Sequence, residues 1–347
     1  MMIYPQQNSP RSTRGFILVL TLLGCASAWS SEFVLDDSGD TVVGEIRHTR
    51  SRYEDTIPYI ARRFGLGYQE IKLVNPDLDT WIPGEDKEIV LPLHFVLPQA
   101  EKTGLVLNVP EMRLYYFPPA APGEPRKVIT YPLGVGREGW HTPYTKTQIT
   151  AKTKNPSWTP PESIRQEHAE KGDFLPRVVG PGPDNPLGVY AMHMGLPSYL
   201  IHGTNKPYGV GMRVSHGCIR LYPEDIEALF ASVRIGTRVN IVNQPYKIGV
   251  KGDEIFLEAH PFLEEDRDEY SGSLTSVVRM LVNITQDNSY EIDWKLAQQV
   301  VDELRGIPVT IGRLKEANDL SKDIDPRVVD RMELQMETTL PDTEVLK

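Results

Sequence analysis

The chain has 347 residues, 37 of them basic and 47 acidic, for a net charge of -10, and 40% are hydrophobic. That length and apolar content suffice for two modest domains. From residue 251 onward 22 residues are acidic and 11 basic, which leaves the first 250 with 26 basic against 25 acidic, so the acidity belongs to the tail and nothing offers the basic face that nucleic acid requires.

The 29 prolines and 27 glycines predict many short strands and turns, hence a mainly β protein. At the start, Arg11 and Arg14 precede an apolar run over 15–28, too short to span a bilayer but suited to a signal-peptide core, with Ala26-Ser27-Ala28 as cleavage pattern. Residues 1–28 are read as that signal. Two other readings stay open: Leu22-Leu23-Gly24-Cys25 as a lipoprotein box with Cys25 acylated, and an uncleaved anchor.

A small unit follows over 42–92. Alternation predicts a strand over 41–47, Asp55 caps a helix that runs to Phe64, a second helix covers 68–74 and ends at Asn75-Pro76, and another strand covers 87–91. This strand-helix-helix-strand order, with its Asn-Pro and closing Pro92, resembles the LysM module, a small glycan-binding domain. The approach to the first helix is longer and more charged than usual for it, so the unit serves either sugar binding or packing and orientation.

Beyond a connector over 92–102, strands are expected at 104–108 and 113–117 around Pro110-Glu111, a loop at 118–125, and a strand at 128–135. The stretch 140–185 is rich in proline, with a charged helical piece over 162–171. Such a segment is ordered only by docking, which makes it a lid or substrate wall. Trp158 within it is either a core pin or a platform for substrate.

Strands at 187–192 and 200–201 lead into residues 201–221, IHGTNKPYGVGMRVSHGCIRL. If Cys25 leaves with the signal, Cys218 is the remaining thiol, and it is a buried small hydrophobe, an intermolecular link or a nucleophile. His202 and His216 in the same glycine-rich run favour the last. A thiol of ordinary pKa, about 8.5, is mostly protonated at neutral pH and needs a base or a cation nearby. His202 or His216 supplies the base, unranked by spacing, and Arg220 a fixed cation. Backbone N–H groups of the Gly217-Cys218 turn are the expected oxyanion donors. Zinc on His202, His216 and Cys218 lacks a fourth ligand, so no metal or other cofactor is expected.

HGT at 202–204 followed by SHGCIRL at 215–221 closely resembles the LD-transpeptidases of the YkuD type, over residues 102–243. With the LysM-like unit and GPDNPLG at 182–188, the chain looks like their Gram-negative periplasmic branch. The resemblance implies a YkuD-like β-sandwich with short helices. It also implies that Cys218 attacks the carbonyl between meso-diaminopimelate and D-Ala of a peptidoglycan tetrapeptide stem, releasing D-Ala and forming a thioester. The thioester then passes to an amine of a second stem or of an outer-membrane lipoprotein, or to water. On this resemblance His202 is the general base, oriented by the Gly203 carbonyl, and His216 shapes the pocket and oxyanion site. Arg220, standing where many members have asparagine, serves carboxylate recognition or structural pairing, and Ser215 is a turn residue. An inert wall-binding protein is the alternative.

After the motif a helix is predicted over 223–233 and a strand over 236–242. Residues 244–314 are expected to form a helical appendage, with a hairpin at 245–257 and helices at 271–282 and 293–304. Residues 315–347, charged and poor in aromatics, are expected to be partly disordered.

Overall fold

The computed structural model describes residues 31–35, 39–140, 142–270, 274–284 and 290–315. The expected signal, Cys25 and all of the expected disordered tail beyond residue 315 lie outside the described residues. No helix among the described residues is long and apolar enough to cross a membrane.

A strand that the sequence did not announce, β1 (Ser31–Leu35), comes first. The small unit follows as β2 (Val42–Arg50), α1 (Ile57–Arg63), α2 (Tyr68–Val74) and β3 (Glu88–Val96). β2 and β3 pair antiparallel from Val42 with Val96 to Arg50 with Glu88, so Pro92 sits inside a strand instead of closing the unit. The cap of α1 is Thr56, whose hydroxyl accepts from the Tyr59 N–H at 3.2 Å. Asp55, expected in that role, is buried; it accepts from the Arg52 N–H at 2.8 Å and pairs with Arg63 at 3.2 Å.

The central region contains β4 (Gly104–Asn108), β5 (Arg113–Phe117), β6 (Arg126–Pro132), β7 (Val135–Gly136), β8 (Thr145–Lys154), α3 (Glu162–Glu170), β9 (Tyr190–Met194), β10 (Leu200–His202), β11 (Arg213–Ser215), β12 (Ile219–Arg220), α4 (Pro223–Ser232) and β13 (Arg238–Val242). Nine strands form one sheet in the order β1-β6-β5-β4-β13-β8-β9-β10-β12. Both halves turn side chains into one core, Leu105, Leu107 and Leu114 from one and Met192, Ile201 and Ile219 from the other, so the sheet closes on itself as a sandwich. β8 occupies what reads as a proline-rich loop. Its sequence TKTQITAKTK buries Ile149 alone, too little apolar alternation to signal a strand.

Alternation along β4 and β5 decides where the small unit sits. Leu105 and Leu107 face the sandwich core, while Val106, Tyr115 and Phe117 face outward into a second core with Ile57, Ile60, Leu66 and Ile71. The two units therefore share buried apolar surface, and polar pairs fix their register. Arg113 on β5, fully buried, forks onto Glu70 of α2 at 2.6 and 2.9 Å and also donates to Thr130 at 2.7 Å. Gly211, with φ of +78°, lies against Gly67 so closely that a Cβ on it would be 2.4 Å from the Gly67 Cα. This approach lets the Tyr68 and Gln69 N–H groups donate to the carbonyls of Val210 and Gly211 at 3.2 and 3.1 Å.

The final region carries β14 (Tyr246–Lys251), β15 (Glu254–Ala259), α5 (Arg267–Tyr270), α6 (Thr275–Ile284), β16 (Tyr290–Ile292), α7 (Trp294–Glu303) and β17 (Val309–Leu314). Of the helices expected at 271–282 and 293–304, residues 271–273 lie outside the described residues; the described parts appear as α6 and α7, which pack on a four-stranded sheet, β14-β15-β17-β16. Lys247 of β14 anchors this region inward. Its ammonium is fully buried, 2.8 Å from the carboxylates of both Glu111 and Glu258 and 2.7 Å from the Val96 carbonyl.

Candidate active site

β10 and β12 lie side by side in parallel at the end of the long sheet, Ile201 opposite Ile219 and His202 opposite Arg220. The two isoleucines are fully buried in the core. Strand alternation then places His202, Arg220 and, two residues before it, Cys218 on the other face. Gly217, at φ +96°, makes the turn before the thiol. Ser215 stitches that turn: its Oγ accepts from the Gly217 N–H at 3.2 Å and donates to the Cys218 carbonyl at 2.6 Å. The Gly217 N–H, expected to await an oxyanion, is thus already engaged.

Cys218 is a free, partly buried cysteine. Its thiol donates to the Ser198 carbonyl at 3.5 Å. Burial pushes the thiol above its ordinary value, opposed by a hydrogen bond from the Leu200 backbone and by the charge of Arg220. His202 is 4% exposed, and its Nδ1 lies 2.6 Å from the Gly203 carbonyl. That contact assigns the proton to Nδ1 and leaves Nε2 as the basic nitrogen. Burial, then the charge of Arg220, lowers the imidazole to about 3, with the Gly203 and Leu187 carbonyls opposing. Among the described residues no imidazole nitrogen is hydrogen-bonded to the sulfur. Burial thus favours the neutral form of both groups.

His216 faces a different neighbourhood. Its Nε2 lies 3.0 Å from the Glu167 carboxylate and 3.1 Å from the Arg137 guanidinium, and its ring meets the Trp140 ring edge-on at 4.9 Å. Glu167 belongs to α3, so the inserted segment is docked over the motif through this histidine. Arg137, Lys171 and His216 hold its carboxyl well below the usual range. The sequence reading missed Arg137, Glu167 and Trp140, whose roles depend on contacts across 30 to 79 residues of chain that no local spacing carries.

Two clefts flank the motif. One, of about 760 Å³, is lined by Cys218, Trp140, Ser198 and Tyr199; the other, of about 580 Å³, by Arg220, Tyr208, Met212 and His168. His216 and half-exposed Trp158 line both, so the insertion forms the wall between them. Arg220 is tied through its backbone to Gly134 at 2.8 and 3.0 Å, but its buried Nε has no partner. No carboxylate among the described residues pairs with its guanidinium.

His202, His216 and Cys218 are not gathered as a ligand set. The cluster among the described residues that is compact enough for a metal is Glu111, Glu258 and His260. Lys247 already supplies the positive charge there.

Residues 102–241 match the YkuD family, the L,D-transpeptidase catalytic domain, and residues 52–80 match the LysM domain. The chain is 36% identical over 289 residues to the probable L,D-transpeptidase ErfK/SrfK of Escherichia coli K12, a match spanning 80% of this chain and 90% of that one. It is 35% identical over 302 residues to the probable L,D-transpeptidase YcfS of the same strain, spanning 85% and 92%. Among solved structures, L,D-transpeptidase 3 from Mycobacterium tuberculosis aligns with 47% of this chain and 73% of its own at 18% identity, with a TM-score of 0.30.

Proposed function

The chain belongs to the L,D-transpeptidase family, and we propose that it carries out that reaction on peptidoglycan through a Cys218 thioester, with His202 as base and then acid. The observation that carries this reading is the position of His202 on β10 beside the parallel strand β12, which Cys218 immediately precedes, with the thiol opening into a cleft.

A tetrapeptide stem entering that cleft displaces the thiol from the Ser198 carbonyl. The sulfur attacks the carbonyl between meso-diaminopimelate and D-Ala while its proton passes to His202 Nε2. Since burial disfavours both the thiolate and the imidazolium, proton transfer accompanies formation of the C–S bond and does not precede it. The Cys218 N–H faces the developing oxyanion, with Gly217 and His216 shaping its surroundings. Collapse breaks the C–N bond, the imidazolium protonates the departing amine, and D-Ala leaves. An acceptor amine then attacks the thioester and gives a proton to His202, which passes it to the departing sulfur, so that Cys218 leaves as the thiol and His202 is neutral again. Gly203 acts by holding the Nδ1 proton and thereby the tautomer. Arg220, a cation two residues from the nucleophile with no acidic partner among the described residues, recognises a carboxylate of the stem.

The acceptor is an amine of a second stem or of an outer-membrane lipoprotein. The apolar run over 15–28 supports export, and likeness to Escherichia coli proteins supports the periplasm as destination.

Mass spectrometry of muropeptides incubated with the wild type and with Cys218→Ala tests the reaction and the acceptor together. Loss of D-Ala with a crosslinked product, absent in the variant, is expected. D-Ala release that survives in Cys218→Ala overturns the nucleophile, and a tripeptide product alone makes the enzyme a hydrolase.

A further inference from the structure

We infer that His193 of β9 reads the donor: its imidazole binds a carboxylate of the stem that lies an aliphatic spacer away from the scissile carbonyl. The inference rests on the peptidoglycan reading above and names a residue that decides which stems the cleft accepts.

Met192 and Met194 turn into the sandwich core, so alternation along β9 sends His193 to the opposite face, where it is exposed. In the antiparallel pairing of β9 with β10, His193 lies directly opposite Leu200. Cys218 stands one step before the pair of Ile201 with Ile219, and a hydrogen bond from the Leu200 backbone reaches it. Cys218, Leu200 and His193 therefore form one row across neighbouring strands, and all three line the cleft of about 760 Å³. At about 4.8 Å for each strand step, the backbones that carry the imidazole and the thiol are about 10 Å apart, with half-buried Leu200 between them. The far end of the row is held in place, because the Thr150 hydroxyl donates to the His193 carbonyl at 3.3 Å.

The lining of the cleft selects the ligand. No carboxylate, lysine or arginine lines it among the described residues. Two histidines do, and His216 is already engaged by Glu167 and Arg137. The His193 ring takes no hydrogen-bond partner among the described residues. An imidazole donates an N–H in either charge state, and its bond to an ionised acceptor is stronger than one to a neutral group. The row also has the layout of a stem. With the scissile carbonyl at Cys218, the methylenes of the diaminopimelate side chain, or of a γ-linked glutamate before it, cover Leu200, and the carboxylate beyond them meets His193. Arg220 lines the other cleft, across the wall, and leaves this carboxylate to His193.

The test uses the full chain as Cys218→Ala, titrated calorimetrically with the tetrapeptide and with two analogues, one amidated at the distal diaminopimelate carboxylate and one at the glutamate α-carboxylate. His193→Ala in that chain is expected to weaken tetrapeptide binding about tenfold, and His193→Gln, which keeps an N–H donor, to restore part of it. Amidation of the carboxylate that His193 binds is expected to cost the same tenfold with the imidazole present and nothing without it, so the analogue that shows this coupling identifies the group. Equal affinity with and without the imidazole, absence of binding included, overturns the inference, as does an amidation cost that His193→Ala leaves unchanged for both analogues. Tetrapeptide held through His193 by a chain whose wild type releases no D-Ala upholds the inference and overturns the transfer reaction. D-Ala release beside an idle His193 does the reverse, so the two failures are distinguishable.

Discussion

His202 and Arg220 stand opposite each other in the parallel ladder between β10 and β12, which puts a guanidinium that has no acidic partner among the described residues beside a buried imidazole. The same cation lies two residues from Cys218 and favours its thiolate. One fixed charge therefore acts on both groups, favouring the neutral imidazole of His202 and easing ionisation of the Cys218 thiol.

Burial outweighs the help from Leu200 and Arg220, so alkylation of Cys218 by iodoacetamide is expected to keep accelerating as pH rises past 9.0. Arg220→Gln removes a charge that lowers the thiol pKa and shifts the profile further to alkaline pH. A rate that levels off near neutrality means a preformed thiolate-imidazolium pair and contradicts the resting state described above.

His202→Ala is expected to lower kcat by about 10²- to 10⁴-fold, the usual contribution of a positioned acid-base group, with donor affinity changed little. Steady-state kinetics on a tetrapeptide donor measures the split. A loss confined to KM would make His202 a binding residue.

Glu167 ties α3 to Arg137, Lys171 and His216 at once. Glu167→Ala is expected to loosen the insertion, raising KM about tenfold and exposing residues 171–182 to limited proteolysis. Unchanged KM and unchanged cleavage would show that the wall between the clefts holds without this carboxylate.

Removing the carboxylate of Glu70 leaves the Arg113 guanidinium fully buried and unpaired. Glu70→Ala is expected to cost about 3–5 kcal/mol in urea unfolding, as for other broken buried ion pairs. A loss under about 1 kcal/mol would indicate that Thr130 and the Gly65 carbonyl satisfy Arg113 on their own.

Acid stability follows from Glu258. Burial alone would raise its pKa, but Lys247 and then His260 hold it below the ordinary 4.5. A carboxyl lowered by folding stabilises the native state above its unfolded pKa, and the benefit is lost as pH falls from 4.5 toward the folded value. Thermal midpoints are expected to drop in that window, and Glu258→Gln to flatten the drop. An equally steep drop in the variant would assign the effect to other carboxyls.

Much of this was legible because the pattern was local. α2, β4 and β5 fall where the sequence placed them, since periodicity and the Asn75-Pro76 and Pro110-Glu111 breaks mark their limits. The strand β8 was hidden because one buried residue, Ile149, leaves no alternation to read. The pairs that assemble the molecule were hidden for another reason. Glu70 and Arg113 are 43 positions apart and Gln99 and Gln244 are 145 apart, and a charged or amide residue in isolation reads as solvated surface. Within the site, the cysteine and two histidines stood out by type and spacing, whereas Glu167 and Trp140 reach the motif only through the docked insertion.

Lys247 gives the terminal region a hold on the rest that sequence boundaries conceal. Trimming the chain after β13 would strip the ammonium of Lys247 from Glu111, a carboxylate with no exposure of its own. A minimal catalytic fragment excised at that seam begins with an uncompensated interior charge, so an expression boundary for a working enzyme belongs beyond β17.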